Sequence, residues 1–372
     1  MLVLSAILTI FVYGMIAAML GTILPNLSER FKLTPKQNGN IAMAQAFGLI
    51  LASLSAGPFI DNIGQKAGLV LGLALIAIAL FTLPKSTGYR SIVVYLFILG
   101  LGGGTIVTGA NTLISDYSGD NRAAVMNLFN IFFGLGGLAT PFISANLLKK
   151  NAYRLCYLTA IMTVGTLMAT FAAGIPGPTG ERSFQVSQID QLTSNPSLYL
   201  LSLLLFLYVT CEVGVWNWLP RHLIAQGIPE SKALNILSLG FALGLLLGRL
   251  ASAAVLTRFT PEVVTLGASI LMIFTTYVAL QTKQATISWV AVFIAGLAMA
   301  PVFPTVLGMV GNRFPVATGT AMGVVITAGW IGLAVSSRII GAIAGEDPKK
   351  LKKALLILPA SSLVMAAACL AL

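Results

Sequence analysis

Gly57 to Lys66 reads G-P-F-I-D-N-I-G-Q-K, and it sits between two long apolar runs. This short stretch holds a carboxylate, two glycines and a cation, and it reads as a loop only a few residues long. The runs on either side decide the fold. Of 372 residues, 57% are hydrophobic and only 9% are charged, where a soluble domain carries about 25% charged residues. A bilayer core of about 30 Å needs roughly 20 apolar residues per helix. Working outward from the turn, apolar segments fall at about 3–25, 38–60, 67–84, 91–115, 123–147 and 153–175. A second set falls at about 197–219, 231–257, 263–281, 286–311, 316–344 and 354–372. Backbone polar groups in lipid must bond within their own segment, which makes these segments helices. The expected fold class is an all-α membrane protein with twelve transmembrane helices in two pseudo-symmetric six-helix bundles.

Three domains follow from the hydropathy: an N-terminal bundle over 1–175, a polar linker over 176–196 and a C-terminal bundle over 197–372. The linker carries Pro176, Pro178, Gly177, Gly180, Glu181, Arg182 and Asp190 without an apolar period. The halves are nearly equal in length, which suggests an internal repeat. Aligning them places Gly57 on Ala253, Asp61 on Thr257 and Gly64 on Thr260, so the second turn has lost the acid and both glycines. The run Met1 to Pro25 lacks a basic leader and a small-residue cleavage site, and it counts as a span. The chain ends at Leu372 inside an apolar run, which leaves room for a short tail. Glycine runs such as Gly100, Gly102, Gly103 and Gly104 suit close helix contact. Pro141, Pro301 and Pro304 can bend or break the fifth and tenth segments.

Charge and side-chain chemistry exclude several functions. A net charge of +11 in a soluble protein would suggest nucleic acid. In a chain this apolar, the cations belong in loops and meet anionic lipid head groups. Cys156, Cys211 and Cys369 all lie in apolar runs, without disulfide or metal spacing. His222 is the single histidine, which leaves neither a zinc site nor a His-based catalytic pair. No enzyme chemistry, metal or cofactor is expected.

The opening turn also resembles a family. A Gly, an Asp four residues on, a Gly three after that and then a basic residue is similar to the loop between helices 2 and 3 of major facilitator superfamily transporters. Gly57, Asp61, Gly64 and Lys66 hold those positions, with Gln65 where the family usually has Arg. The resemblance implies that Asp61 caps a facing helix end and pairs with an Arg near the fourth to fifth segment loop. Asp116 and Arg122 stand there, within D-Y-S-G-D-N-R. Gly57, Asp61, Gly64, Lys66, Asp116 and Arg122 are therefore the expected gate, a latch that holds one side shut. The plainer reading is a set of solvated loop charges.

Glu212 is the most informative single residue. It lies in L-Y-V-T-C-E-V-G-V-W-N-W-L-P, about fifteen residues into the seventh segment, roughly 22 Å along it. A carboxylate inside a span costs about 2.5–3.5 kcal/mol on insertion scales and marks a functional position. Trp216, four residues on, shares its helix face. An acid beside an indole face can grip a sugar, with acceptors for hydroxyls and an apolar plate for C–H faces. The alternative is a structural partner for Arg249 or Arg338 beside an interfacial tryptophan. On other segments, Asn111, Asn127, Asn130, Gln45 and Trp330 are further substrate-binding candidates, although neutral amides in spans also simply tie helices together. Trp218 and Pro220 read as interface anchors.

The runs Gly109 to Pro141 and Tyr208 to Pro220 narrow the resemblance to the fucose permease branch, which includes glucose and galactose symporters driven by protons or sodium. That branch implies a hexose-type sugar as substrate. Proton-coupled fucose permeases carry acids in the first and fourth segments, where this chain has Gly21 and Val107. Either coupling to H+ or Na+ falls to Glu212, or the protein is an uncoupled sugar facilitator. A drug or metabolite exporter of the same superfamily and a sugar sensor that does not transport stay open. The exporters' G-P pair in the fifth segment is absent or distorted, because this segment ends T-P-F with its glycines, Gly134 to Gly137, seven to four residues before Pro141.

Orientation is contested. The resemblance puts the Gly57–Lys66 turn and both termini in the cytoplasm of an inner-membrane protein, taken to be a monomer in lipid. Five loop cations then lie inside: Lys66, Arg122, Arg182, Arg258 and Arg313. Arg249 and Arg338 fall within spans, and the other fifteen cations lie outside. The positive-inside rule favours the reverse. The motif takes precedence because it is a specific loop in a specific place.

Overall fold

The computed structural model describes residues 1–149, 151–177, 186–345 and 347–372, and among these every regular element is a helix. Among the described residues, twelve helices are long and apolar enough to cross a membrane. They are α1 (Leu2–Phe31), α2 (Lys36–Ile63), α3 (Gln65–Lys85), α4 (Tyr89–Tyr117), α5 (Gly119–Asn146) and α6 (Ala152–Ala172). The second set is α7 (Pro196–Ala225), α8 (Glu230–Val255), α9 (Pro261–Gln281), α10 (Ala285–Arg313), α11 (Thr318–Ala344) and α12 (Lys350–Leu370). Each expected segment is one of these helices. The expected linker is described only in part. A short helix covers Val186–Thr193, while residues 178–185, including Arg182, lie outside the described residues.

Local chemistry sets the helix ends. The Thr34 side chain accepts from the Gln37 amide while Gln37 reaches back to the Thr34 amide, a reciprocal cap that starts α2. Asn151, Asn195 and Thr260 cap the first turns of α6, α7 and α9. Proline acts unevenly. Helix α5 passes through Pro141 without interruption. Helix α10 stops at Met299 and restarts at Val302, so Pro301 falls in the gap and Pro304 in the new first turn. Proline is tolerated in a first turn, where its missing N–H has no partner to lose. Helix α8 contains a π turn over Ile236–Ala242, an irregularity that no proline or hydropathy break announces.

The chain forms two compact units. Unit 1 comprises Met1–Tyr117, Phe129–Leu192 and Phe314–Thr327; unit 2 comprises Ser118–Leu128, Thr193–Arg313 and Ala328–Leu372. Inside unit 1, α4 packs against both α2 and α3, and its glycines let the backbones meet. Inside unit 2, α9 packs on α10 and α12, and α7 on α12 and α10. The first turns of α11 therefore belong with the early helices, and the first turns of α5 with the late ones.

Candidate functional site

Unit 1 contains the stretch that opened the sequence, and there the expected loop shrinks to Gly64 alone, since Gly57 to Ile63 are the last turns of α2 and Gln65 and Lys66 already belong to α3. Helix α2 ends at Ile63, and Gly64 bridges to α3 at φ 109°, a backbone angle that side-chain-bearing residues rarely adopt. One turn earlier, Asp61 Oδ1 accepts from the Gly319 amide at 3.0 Å. Its Oδ2 accepts from the Thr320 amide at 2.7 Å and from Thr320 Oγ1 at 2.6 Å. Those amides are unmatched donors in the first turn of α11, so Asp61 caps that helix from a distance of 258 residues in sequence. Gly57 makes the approach possible. A Cβ there would stand 2.5 Å from Gly319 O and 2.7 Å from Thr320 Cα.

The other gate candidates surround this cap or lie apart from it. Gln65 Nε2 donates to Asp116 Oδ2 at 2.7 Å, so the residue standing in the family's Arg position meets the acid at the end of α4. Lys66 Nζ donates to the Ala173 carbonyl at 3.0 Å, 5.4 Å from the centre of the Phe171 ring. In unit 2, Arg122 Nη1 donates to Asn312 Oδ1 at 2.7 Å.

The amide candidates are well buried. Asn111 Nδ2 donates to the Val107 carbonyl at 2.7 Å, and Asn111 Oδ1 accepts from Asn130 Nδ2 at 3.2 Å, joining α4 to α5. Asn127, in unit 2, donates to the Ala123 carbonyl and to Thr305 Oγ1. Gln45 is buried in α2, where its backbone carbonyl lies against Gly100 of α4. These contacts explain much of the amide content as helix-to-helix bonding. Gln45, Asn111 and Asn130 fall in unit 1, while Glu212, Trp216 and Trp330 fall in unit 2.

Helix α7 presents Tyr208, Glu212 and Trp216 at successive four-residue steps along one face. Tyr208 is fully buried, and its hydroxyl lacks a hydrogen-bond partner of ordinary geometry. Glu212 keeps accessible surface despite its depth in the span. Trp216 is 37% exposed and meets Phe241 of the π turn edge-on, with ring centres 5.3 Å apart. Arg249 of α8, only 4% exposed, acts electrostatically on both Glu212 and Tyr208. Sequence reasoning named Arg249 as a possible partner but missed Tyr208 and Phe241. Tyr208 was reachable, since it lies one turn before Glu212. Phe241 was not, because the π turn that presents it has no sequence signal.

A profile of the Major Facilitator Superfamily matches residues 6–337. The chain belongs to that superfamily. It is 24% identical over 360 residues to the glucose/mannose transporter GlcP of Bacillus subtilis, covering 91% of this chain and 86% of that one. It is 22% identical over 287 residues to Bypass of stop codon protein 6 of Saccharomyces cerevisiae, covering 69% of this chain and 57% of that protein. A Protein TsgA homolog from Buchnera aphidicola is 26% identical over 212 residues, covering 56% of this chain and 54% of that protein. Against the latter two curated relatives, the match thus spans little more than half their length. Among solved structures, the Escherichia coli fucose:proton symporter FucP superposes with a TM-score of 0.84 at 18% identity, covering 99% of this chain and 97% of that one. The human organic anion transporter MFSD10 gives 0.82 at 15% identity, covering 99% and 98%. The fold, all-α with twelve candidate spans, is that of the superfamily, and the chain is a multi-pass membrane protein.

Proposed function

We propose that this protein is a secondary transporter that moves a hexose-type sugar across the inner membrane by alternating access, with coupling to H+ or Na+ at Glu212. The observation that carries this reading is on α7: a carboxylate deep in a span keeps accessible surface beside the exposed face of Trp216. Acceptor oxygens and an apolar ring at one helical turn match the hydroxyls and C–H faces of a pyranose. Relatives described as a glucose/mannose transporter, a fucose:proton symporter and a proton:xylose symporter agree with a sugar. Trp330, Asn111, Asn130 and Gln45 are the further residues proposed to line the path. Gly57, Asp61, Gly64, Lys66, Asp116 and Arg122 form the proposed gate, with Asp61 releasing the start of α11 when that side opens. The proposed bundles are 1–175 and 197–372, joined by a cytoplasmic linker. Both termini are cytoplasmic, and the working unit is a monomer in lipid.

Uptake of labelled hexoses into proteoliposomes, with and without sodium or pH gradients, tests this. Glu212→Gln should abolish accumulation and spare exchange. Unchanged uphill uptake in that variant would remove Glu212 from the mechanism. A second reading, an uncoupled facilitator, draws support from Gly21 and Val107 on α1 and α4, where proton-coupled fucose permeases carry acids. Equilibration without accumulation under every gradient would select it.

A further inference from the structure

We propose that one rim of unit 2 is a docking site for the phosphate of an anionic phospholipid headgroup, held by Lys350 and Lys353 with Arg221 beside them. The sequence P-K-K-L-K-K-A-L forms a short helix over Pro348–Leu355, just ahead of the run Ile357–Leu370 in α12. Its two faces are chemically opposite. Leu351, Ala354 and Leu355 are buried, at the spacing of one helical stripe. Lys350 and Lys353 are exposed and three residues apart, so they share a face. Cβ atoms at that spacing stand about 5–6 Å apart, which lets two ammonium groups reach one phosphate.

Where the apolar stripe goes decides which partner fits. A helix that anchors itself in a bilayer turns its apolar face into the lipid. Here that face is taken up inside unit 2, where the short helix packs on α7. What it offers a partner is charge without apolar surface, which suits a headgroup and not an acyl chain. Arg221, near the end of α7, donates from Nη2 to the Gly345 carbonyl at 2.9 Å, which fastens the connection that leads into the lysine helix. A guanidinium has five N–H donors, and Arg221 is exposed. It lies 6.0 Å from the centre of the Trp218 ring, and that ring rests against Gly341 of α11. An indole near a span end is an interface anchor. Residues 346–353 hold two acids, Glu346 and Asp347, against four lysines, and Arg221 enlarges the excess. Glu346 lies outside the described residues. Spans α7 and α11 end at Ala225 and Ala344, and α12 opens at Lys350, so these cations stand where three spans leave the membrane. Headgroups are already concentrated at that level, whereas a soluble anion must be drawn from dilute solution.

For the test, the full chain in neutral detergent is titrated with phosphatidylglycerol or with phosphatidylcholine, and bound lipid is counted by native mass spectrometry. Phosphatidylglycerol should bind in preference, and the preference should fall as salt rises. Lys350→Gln together with Lys353→Gln should weaken phosphatidylglycerol binding roughly thirtyfold, while Lys350→Arg with Lys353→Arg should keep it. Should the glutamine pair fail to fold, Lys353→Gln alone decides, with a loss of about fivefold. Lys36→Gln with Lys85→Gln removes two exposed cations elsewhere and should leave binding unchanged. An equal loss in that variant would make net charge the cause and overturn the site. Equal binding of the two lipids would overturn it as well. Displacement of phosphatidylglycerol by inorganic phosphate at equal concentration would assign the rim to a soluble anion and overturn the lipid as its occupant.

Discussion

Asp61 shows how much one side chain can hold. Its two oxygens accept three hydrogen bonds from the start of α11, and bonds to a charged group are worth about 1.5–3 kcal/mol each. Asp61→Asn keeps the shape, but it removes the charge and turns one acceptor into a donor. We expect roughly a tenfold shift away from the capped arrangement. Cysteine labelling at the start of α11, read as rate against wild type, checks this, and an unchanged rate would mean the cap carries no gating energy. The acid itself was legible, because a carboxylate at the junction of two apolar spans stands out, although it sits in the last turn of α2 and not in a loop. Its partners were not, because Gly319 and Thr320 carry no charge and lie 258 and 259 residues away. Asn127 was legible as a polar residue in a span, but its bond to Thr305, worth about 0.6 kcal/mol, comes from the pairing of α5 with α10.

At the scale of elements, the contact of α2 with α11 depends on backbone meeting backbone. Gly57→Val would place side-chain carbons where the Gly319 carbonyl now sits, 2.5 Å from the position of a Cβ. Neither backbone can yield without moving its helix. The variant should insert in the membrane and melt within a few degrees of wild type, yet lose most uptake. Normal uptake would show that α2 and α11 need not approach this closely during the cycle. The twelve spans were readable because a bilayer demands about 20 apolar residues each. Interruptions within spans were readable only where proline sits between turns, as in α10. Pro141 leaves α5 unbroken, and the π turn in α8 arises among ordinary apolar residues. Within it, Gly240 lies against the Trp289 ring and Phe241 meets Trp216.

For the whole molecule, orientation is the measurable question. The motif reading puts the loop between α6 and α7 inside, while the loop cations favour the reverse. A reporter fused within residues 176–196 should be active on the cytoplasmic side, and activity on the opposite side would reverse the topology. The charge count did not settle this, since a basic segment such as Pro348–Leu355, with Leu351 and Leu355 buried beneath exposed Lys350 and Lys353, can lie on a membrane surface.

The placement of Phe314–Thr327 in unit 1 and of Ser118–Leu128 in unit 2 has a genetic consequence. A gene cut at the linker yields two polypeptides, and neither contains a whole unit. The N-terminal product would lack the segment that Gly57 and Asp61 pack against. Produced alone, each fragment should be cleared by proteolysis. Produced together, they should protect one another and purify as a pair.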